Sequence, residues 1–250
     1  MRFFASGRLK HLNDITYVVL VVGLTALLQA ISGFGFALLS VPLFALRIDV
    51  HEAVVLSSCI GTISSGWQTL FLRKNVDAVS AKRYIGWSLV GIPAGFALFV
   101  ALSDQVLRII VGVAVLFGTL VVAFGREVKV SRAWERSLGV LSGALLIATS
   151  TNGPPIVLAM QAQRMPMHVF RATLARIFSV SGVISVVLFL VAGEIDRSIA
   201  VTTLLCVPMM TISVLIGNRV ARNLAERPFR ILVLFLLVLA GTSSLASALG

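Results

Sequence analysis

Residues 15–46 read ITYVVLVVGLTALLQAISGFGFALLSVPLFAL, apolar and free of charge from end to end. A helix crosses the hydrocarbon core of a bilayer in about 20 residues, so this stretch has length to spare. Its middle, Ser32-Gly33-Phe34-Gly35, is a poor place for a helix, because glycine gives up the most backbone freedom on ordering. Pro42 further on lacks a backbone donor and clashes with the preceding turn. We read the stretch as one interrupted transmembrane helix, Ile15–Ile31 continued by Phe34–Leu46.

The rest of the chain follows the same pattern. Apolar runs recur at Ala53–Leu72, Tyr84–Leu102, Ile109–Phe124, Leu138–Ala162, Leu174–Ala192, Ile199–Gly217 and Ile231–Leu249. With the first stretch counted once, this predicts an all-α, polytopic membrane bundle of about eight spans. Composition agrees: 58% of the 250 residues are hydrophobic and 12% charged, where a soluble domain carries roughly 25% charged residues. Mean hydropathy is +1.01. The first run has a basic flank (Arg2, Arg8, Lys10), yet it is longer than the apolar core of a signal peptide and no Ala-x-Ala site follows. It reads as a retained span.

A net charge of +11 in a soluble protein would suggest nucleic acid. Here the Lys and Arg residues gather between apolar runs without aromatic interleaving, as in loops that face anionic lipid, so nucleic acid is not an expected partner. Cys59 and Cys206 fall inside apolar runs and make no C-x-x-C motif or metal-ligand spacing with the histidines. No metal or cofactor is expected. Arg47, His51 and His168 read as loop residues.

A polar stretch at 126–137 divides the chain into related halves. GLTALLQAISG (Gly23–Gly33) has the glycine-to-glycine spacing of GALLIATSTNG (Gly143–Gly153), Pro93 and Pro208 follow at similar intervals, and LRIIVGVAVLFGTL echoes FRILVLFLLVLAGTSSL. The predicted organisation is a basic tail (1–14), a first repeat (15–125), a linker (126–137) and a second repeat (138–250), each repeat with four spans and an interrupted first helix. Simple alternation from a cytoplasmic tail puts Arg73, Lys74, Lys82, Arg83 and the linker inside, but Arg219, Arg222 and Arg227 outside, against the positive-inside rule. A re-entrant hairpin around Gly153 would restore the rule. Both topologies stay open.

The two interruptions carry the functional expectation. Irregular backbone at membrane depth survives only when buried in protein or lining a wet cavity. A broken helix also exposes a half-helix N-terminus, whose N–H groups and positive dipole end favour an anion. Paired breaks in repeats are where transporters build substrate sites. The candidate substrate-binding residues are therefore Gln29, Ser32, Gly33, Gly35 and Pro42 at the first break, and Thr149, Ser150, Thr151, Asn152, Gly153, Pro154 and Pro155 at the second. Close helix packing at the glycines and a simple kink at the prolines is the plainer alternative. Arg171 and Arg176 open the sixth span; either is a natural anion partner or a side chain snorkelling to lipid headgroups, with snorkelling the better account of Arg171. Glu52, Asp104, Glu194 and Asp196 stand at run boundaries, so no buried carboxylate relay for protons is expected.

At these residues the chain resembles the TauE/SafE sulfite exporter family. The likeness lies in GFGFALLSVPLFAL (Gly33–Leu46), NGPPIVLAM (Asn152–Met160) and FRATLARIF (Phe170–Phe178), and extends over nearly the whole chain. It implies a permease of the inner (cytoplasmic) membrane for small anions such as sulfite, organosulfonates or related organic acids. By motif, Gly33, Gly35, Pro42, Gly153, Pro154, Pro155, Arg171 and Thr173 match. Phe34 and Phe36 stand where the family commonly has a smaller residue, which leaves the substrate open. Expected partners are the anion and membrane lipid, with a homodimer an open option. A membrane scaffold is the competing reading. An intramembrane enzyme is disfavoured, since H-E-x-x-H, G-x-S-x-G and paired aspartates within the spans are all missing.

Overall fold

A computed structural model describes residues 12–124, 131–161, 163, 165–221, 234–235, 237–242 and 246. Residues 1–11 of the basic tail, 125–130 around the linker, Arg222, Arg227 and much of the final apolar run lie outside these residues. Among the described residues all regular structure is helical. The interrupted first span appears as α1 (Leu12–Ser32) and α2 (Phe36–Phe44), followed by α3 (Val50–Leu72), a 3₁₀ turn at Arg73–Asn75, α4 (Ala78–Ala101) and α5 (Asp104–Phe124). After the linker come α6 (Arg132–Thr149), α7 (Gly153–Gln161), α8 (Met167–Val191) and α9 (Arg197–Val220). Both predicted breaks are present, each followed by a helix of 9 residues.

Helix starts obey local chemistry. Asp49, Asp77 and Asp196 each stand just ahead of a helix and accept from backbone amides of its first turn, at 2.8–3.2 Å. This satisfies donors that have no partner inside the helix.

Among the described residues, five helices are long and apolar enough to cross a membrane: α1, α4, α5, α8 and α9. Eight spans were expected, and the composition of α3 accounts for part of the difference. It has the length, but serine, threonine and glycine dilute its apolar content because it packs against α2, α8 and α9 in the centre of the bundle. A helix screened by other helices need not be lipophilic.

Around α3 and α8 the remaining helices pair across the linker, α1 with α9 and α4 with α6. Between tightly apposed helices in lipid, small residues let backbones approach. A Cβ at Gly91 would overlap the Val140 carbonyl, one at Gly95 the Ala144 carbonyl, and one at Gly143 the Ser88 carbonyl. On the opposite side, a Cβ at Gly217 would meet Ala30 and the Leu27 carbonyl.

Candidate functional site

Where α1 stops, Gly33 and Gly35 take φ of +88° and +98°, a left-handed backbone that only glycine adopts cheaply. Ser32 holds the corner: its Oγ lies 2.8 Å from the Leu28 carbonyl and 2.6 Å from the Phe34 carbonyl. Helix α2 then starts at Gly35 with no side chain capping its first amides. At the second break α6 ends on Ser150, which takes φ of +57°, the one described non-glycine residue with positive φ. Gly153 opens α7 with Pro154 and Pro155 behind it. Two prolines in the first turn remove two of the four amides that a helix N-terminus leaves without partners. The breaks are thus unequal: the first offers backbone N–H groups, the second mostly side chains.

The two breaks meet around a small cavity of about 50 Å³ that is partly open to the outside. The first turn of α2 (Gly35 to Leu38) forms one wall, Ser150, Thr151, Asn152 and Gly153 another. Gln29 contributes from α1, and Phe178 and Gly182 from α8. The remaining wall is a stripe of α3 that reading of the sequence missed: Ser57, Ser58, Gly61, Thr62 and Ser65. A signal for it exists, because these positions recur three and four residues apart on one helical face of an otherwise apolar run.

The polar groups are tied in separate local pairs across the breaks and α3. Ser58 donates to Ser150 across 2.9 Å, and Ser40 and Ser57 share a hydrogen bond of 2.8 Å. Gln29 Nε2 donates to Ser65 Oγ at 3.1 Å and accepts at Oε1 from Ser64 at 2.6 Å. Thr149 and Thr151 hydroxyls bond to each other, and the Ser142 hydroxyl donates to the Asn152 carbonyl at 2.8 Å. None of the residues described along the wall has an ionisable side chain. The site is an enclosure of neutral dipoles.

Of the predicted residues, Gln29, Gly35, Ser150, Thr151, Asn152 and Gly153 line the cavity. Ser32, Gly33 and Thr149 shape the breaks from behind, Pro42 and Pro155 are buried within α2 and α7, and Pro154 packs against Gly118 of α5. The arginines differ from expectation. Arg171, expected to snorkel, is buried: its Nη2 donates to the Ala30 carbonyl near the end of α1 and to Asn218 Oδ1 of α9 at 2.9 Å. A helix C-terminus presents carbonyls without partners, and a guanidinium satisfies them. Arg176, a turn and a half further along α8, is exposed and away from the cavity wall. His51, read as a loop residue, is buried in the first turn of α3, because Asp49, Asp104 and the Phe99 carbonyl surround its ring.

A sequence model of the family described as "Sulfite exporter TauE/SafE" matches residues 18–244. A Cupriavidus necator protein named "Probable sulfite/organosulfonate exporter TauE" is 23% identical over 221 residues, spanning 80% of this chain and 83% of that protein. A Comamonas testosteroni protein named "Probable inner membrane transporter protein TsaS" is 29% identical over 112 residues, spanning 44% of this chain and 47% of that one. No solved structure matches the chain.

Proposed function

The chain belongs to the TauE/SafE sulfite exporter family, and from that premise we propose that it moves small sulfur-oxygen anions, sulfite and short organosulfonates first among them, through the cavity between its two helix breaks. The protein is a membrane transporter rather than an enzyme. The observation that carries the site assignment is the first turn of α2, its amides uncapped by any side chain, opening into a hydroxyl-lined cavity. A sulfite or sulfonate group offers three acceptor oxygens and no donor that must be matched. Backbone amides and hydroxyls supply donors, and the helix dipole adds a favourable potential. The neutrality of the wall suits a carrier, since a buried arginine would hold the anion too tightly to release it, whereas dipoles balance binding against escape.

Several features support the finer reading of two related repeats, 15–125 and 138–250, joined by the linker 126–137. Long helix, break and 9-residue helix occur in each half, and α4 and α9 each hold an internal proline, Pro93 and Pro208. The cross-linker pairs α1–α9 and α4–α6 exchange under such a symmetry, while α3 and α8 face each other. On this reading the chain has eight crossings and sits in the cytoplasmic membrane.

The test is uptake by proteoliposomes of the purified protein, given labelled sulfite, sulfate, sulfoacetate and small carboxylates. Saturable transport of sulfite or sulfoacetate, competed by the other, is the expected result. Equal indifference to every anion in the panel would refute the proposal.

A further inference from the structure

At the opposite end of α2 from the cavity, the chain turns a corner, and polar groups from several elements close on it. The 9 residues of α2 span about 13 Å at 1.5 Å per residue. Its last turn is held by Arg108 of α5, whose Nη1 donates to the Ala45 carbonyl at 2.7 Å, and by Tyr17 of α1, whose hydroxyl donates to the Leu43 carbonyl at 2.9 Å. Five residues beyond α2, Asp49 caps α3, and His51 follows in its first turn, ahead of the apolar run that begins at Ala53.

The environment of the His51 ring decides its chemistry. Nε2 lies 3.2 Å from the Phe99 carbonyl near the end of α4, and Nδ1 lies 2.8 Å from Asp104 Oδ1 at the start of α5 and 3.6 Å from Asp49 Oδ1. A backbone carbonyl only accepts, so Nε2 carries a proton. At 2.8 Å from Asp104 and 3.6 Å from Asp49, Nδ1 lies within ion-pair reach of two carboxyl groups. With Nε2 holding the one N–H of a neutral ring, a second proton at Nδ1 would face both carboxyl groups, and the imidazolium is the form they attract. Among the described residues, Asp14 on α1, paired with Arg47 at 3.9 Å, Glu52 on α3, Arg47 on the α2–α3 turn and Arg108 on α5 are further charged groups of this corner, and from α8 the Phe189 ring packs on Phe99, whose own ring stands edge-on to His51.

We propose that Asp49, His51 and Asp104 form a proton-binding latch in which the protonated ring ties the α2–α3 corner to the ends of α4 and α5, and that loss of the proton frees the corner and with it the position of α2. The second half of this statement rests on the anion site proposed at the other end of α2; the first half stands without it. Burial opposes charge on the ring, but Asp49 and Asp104 outweigh it and raise the His51 pKa. Burial likewise opposes charge on Asp49, while hydrogen bonds from the His51 ring and backbone amide hold its carboxyl well below the usual carboxylate range. The sign follows. A raised histidine contributes its full stabilisation below its unfolded value of about 6.5 and loses it as pH climbs through the higher folded value. The latch is closed in acid and opens toward alkaline pH. The described cavity wall has no ionisable side chain to carry a proton with the anion.

The experiment follows the imidazole NMR signals of histidine-labelled, full-length protein in nanodiscs from pH 5 to 9, with His51→Gln assigning the resonance. His51 is expected to titrate above the ordinary histidine value, and Asp104→Asn to lower its midpoint by about one unit or more, the scale of one close opposite charge. Accessibility of a cysteine placed at Leu46 is expected to rise as the ring deprotonates. An ordinary midpoint unmoved by Asp104→Asn would overturn the latch. So would stoichiometric binding of Zn²⁺ or Mn²⁺ to chelator-treated protein at neutral pH, which would make the same three side chains a metal site. Sulfite binding measured across the same range separates the two proposals. If sulfite binds with one affinity while His51 titrates, the link through α2 is wrong. Should sulfite fail to bind at any pH while His51 titrates as expected, the anion site is wrong and the latch remains.

Discussion

Ser150 combines two properties that pull against each other. Its left-handed backbone costs an L-residue about 1–2 kcal/mol, yet its hydroxyl receives the bond from Ser58 that joins the second break to α3. Strain of this kind persists where surroundings hold it and function uses it. Ser150→Gly is therefore expected to raise the thermal stability of the protein in detergent while weakening sulfite affinity. A change of the same sign in both would contradict the assignment. Loss of a single hydroxyl bond is worth about 1 kcal/mol, so Ser58→Ala should raise the KM for sulfite several-fold with kcat little altered. Arg171 belongs to a different class. Removing it leaves the Ala30 carbonyl and Asn218 without their donor, so Arg171→Ala should lower stability by about 1–3 kcal/mol, and Arg171→Lys should rescue it only partly because one ammonium replaces a planar fork. Arg176→Ala, at the arginine that the sequence left between anion partner and lipid anchor, is expected to leave flux unchanged. A large loss in vesicles would return Arg176 to the pathway.

At the scale of elements, the short helix after the first break is the decisive part. Ala37 lies in the first turn of α2, where proline is tolerated because those amides have no partner within the helix. Ala37→Pro deletes one amide from the cavity wall, and Ala37→Val keeps it. Hydrogen bonds to charged groups are worth about 1.5–3 kcal/mol, so the proline variant should bind sulfite about tenfold or more weakly than the valine variant. Equal binding would mean that backbone amides of α2 do not touch the anion. The α4–α6 pair supplies a structural counterpart. At Gly143 an added side chain would meet the Ser88 backbone, which cannot swing aside. Gly143→Val should destabilise by at least about 1–3 kcal/mol, read as a fall in unfolding temperature; an unchanged temperature would mean the helices are further apart.

For the molecule as a whole, a cavity wall without ionisable groups has an energetic consequence. An anion leaving a negative interior gains about 2.3 kcal/mol per charge per 100 mV, so the membrane potential alone drives export. Efflux from vesicles should rise with interior-negative potential and survive a protonophore when potential is clamped. Collapse under that condition would show that a proton travels with the anion. Bulk pH should still change the rate through the latch at His51, with no stoichiometric proton flux.

Much of this architecture was legible in the sequence. Long apolar runs require lipid, and glycine or proline within such a run interrupts a helix wherever it falls, because both act on the backbone locally. Hence the breaks at 33–35 and 150–152 and six of the cavity residues were readable without coordinates. The α3 stripe was not, since serine and threonine in an apolar helix look alike whether they bond their own backbone or face a hollow. Nor was the division of labour between Arg171 and Arg176, or the burial of His51. One helical face differs from another only in what packs against it, and that is fixed by partners that are distant along the chain: Ala30 for Arg171, Phe99 and Asp104 for His51, Ser150 for Ser58.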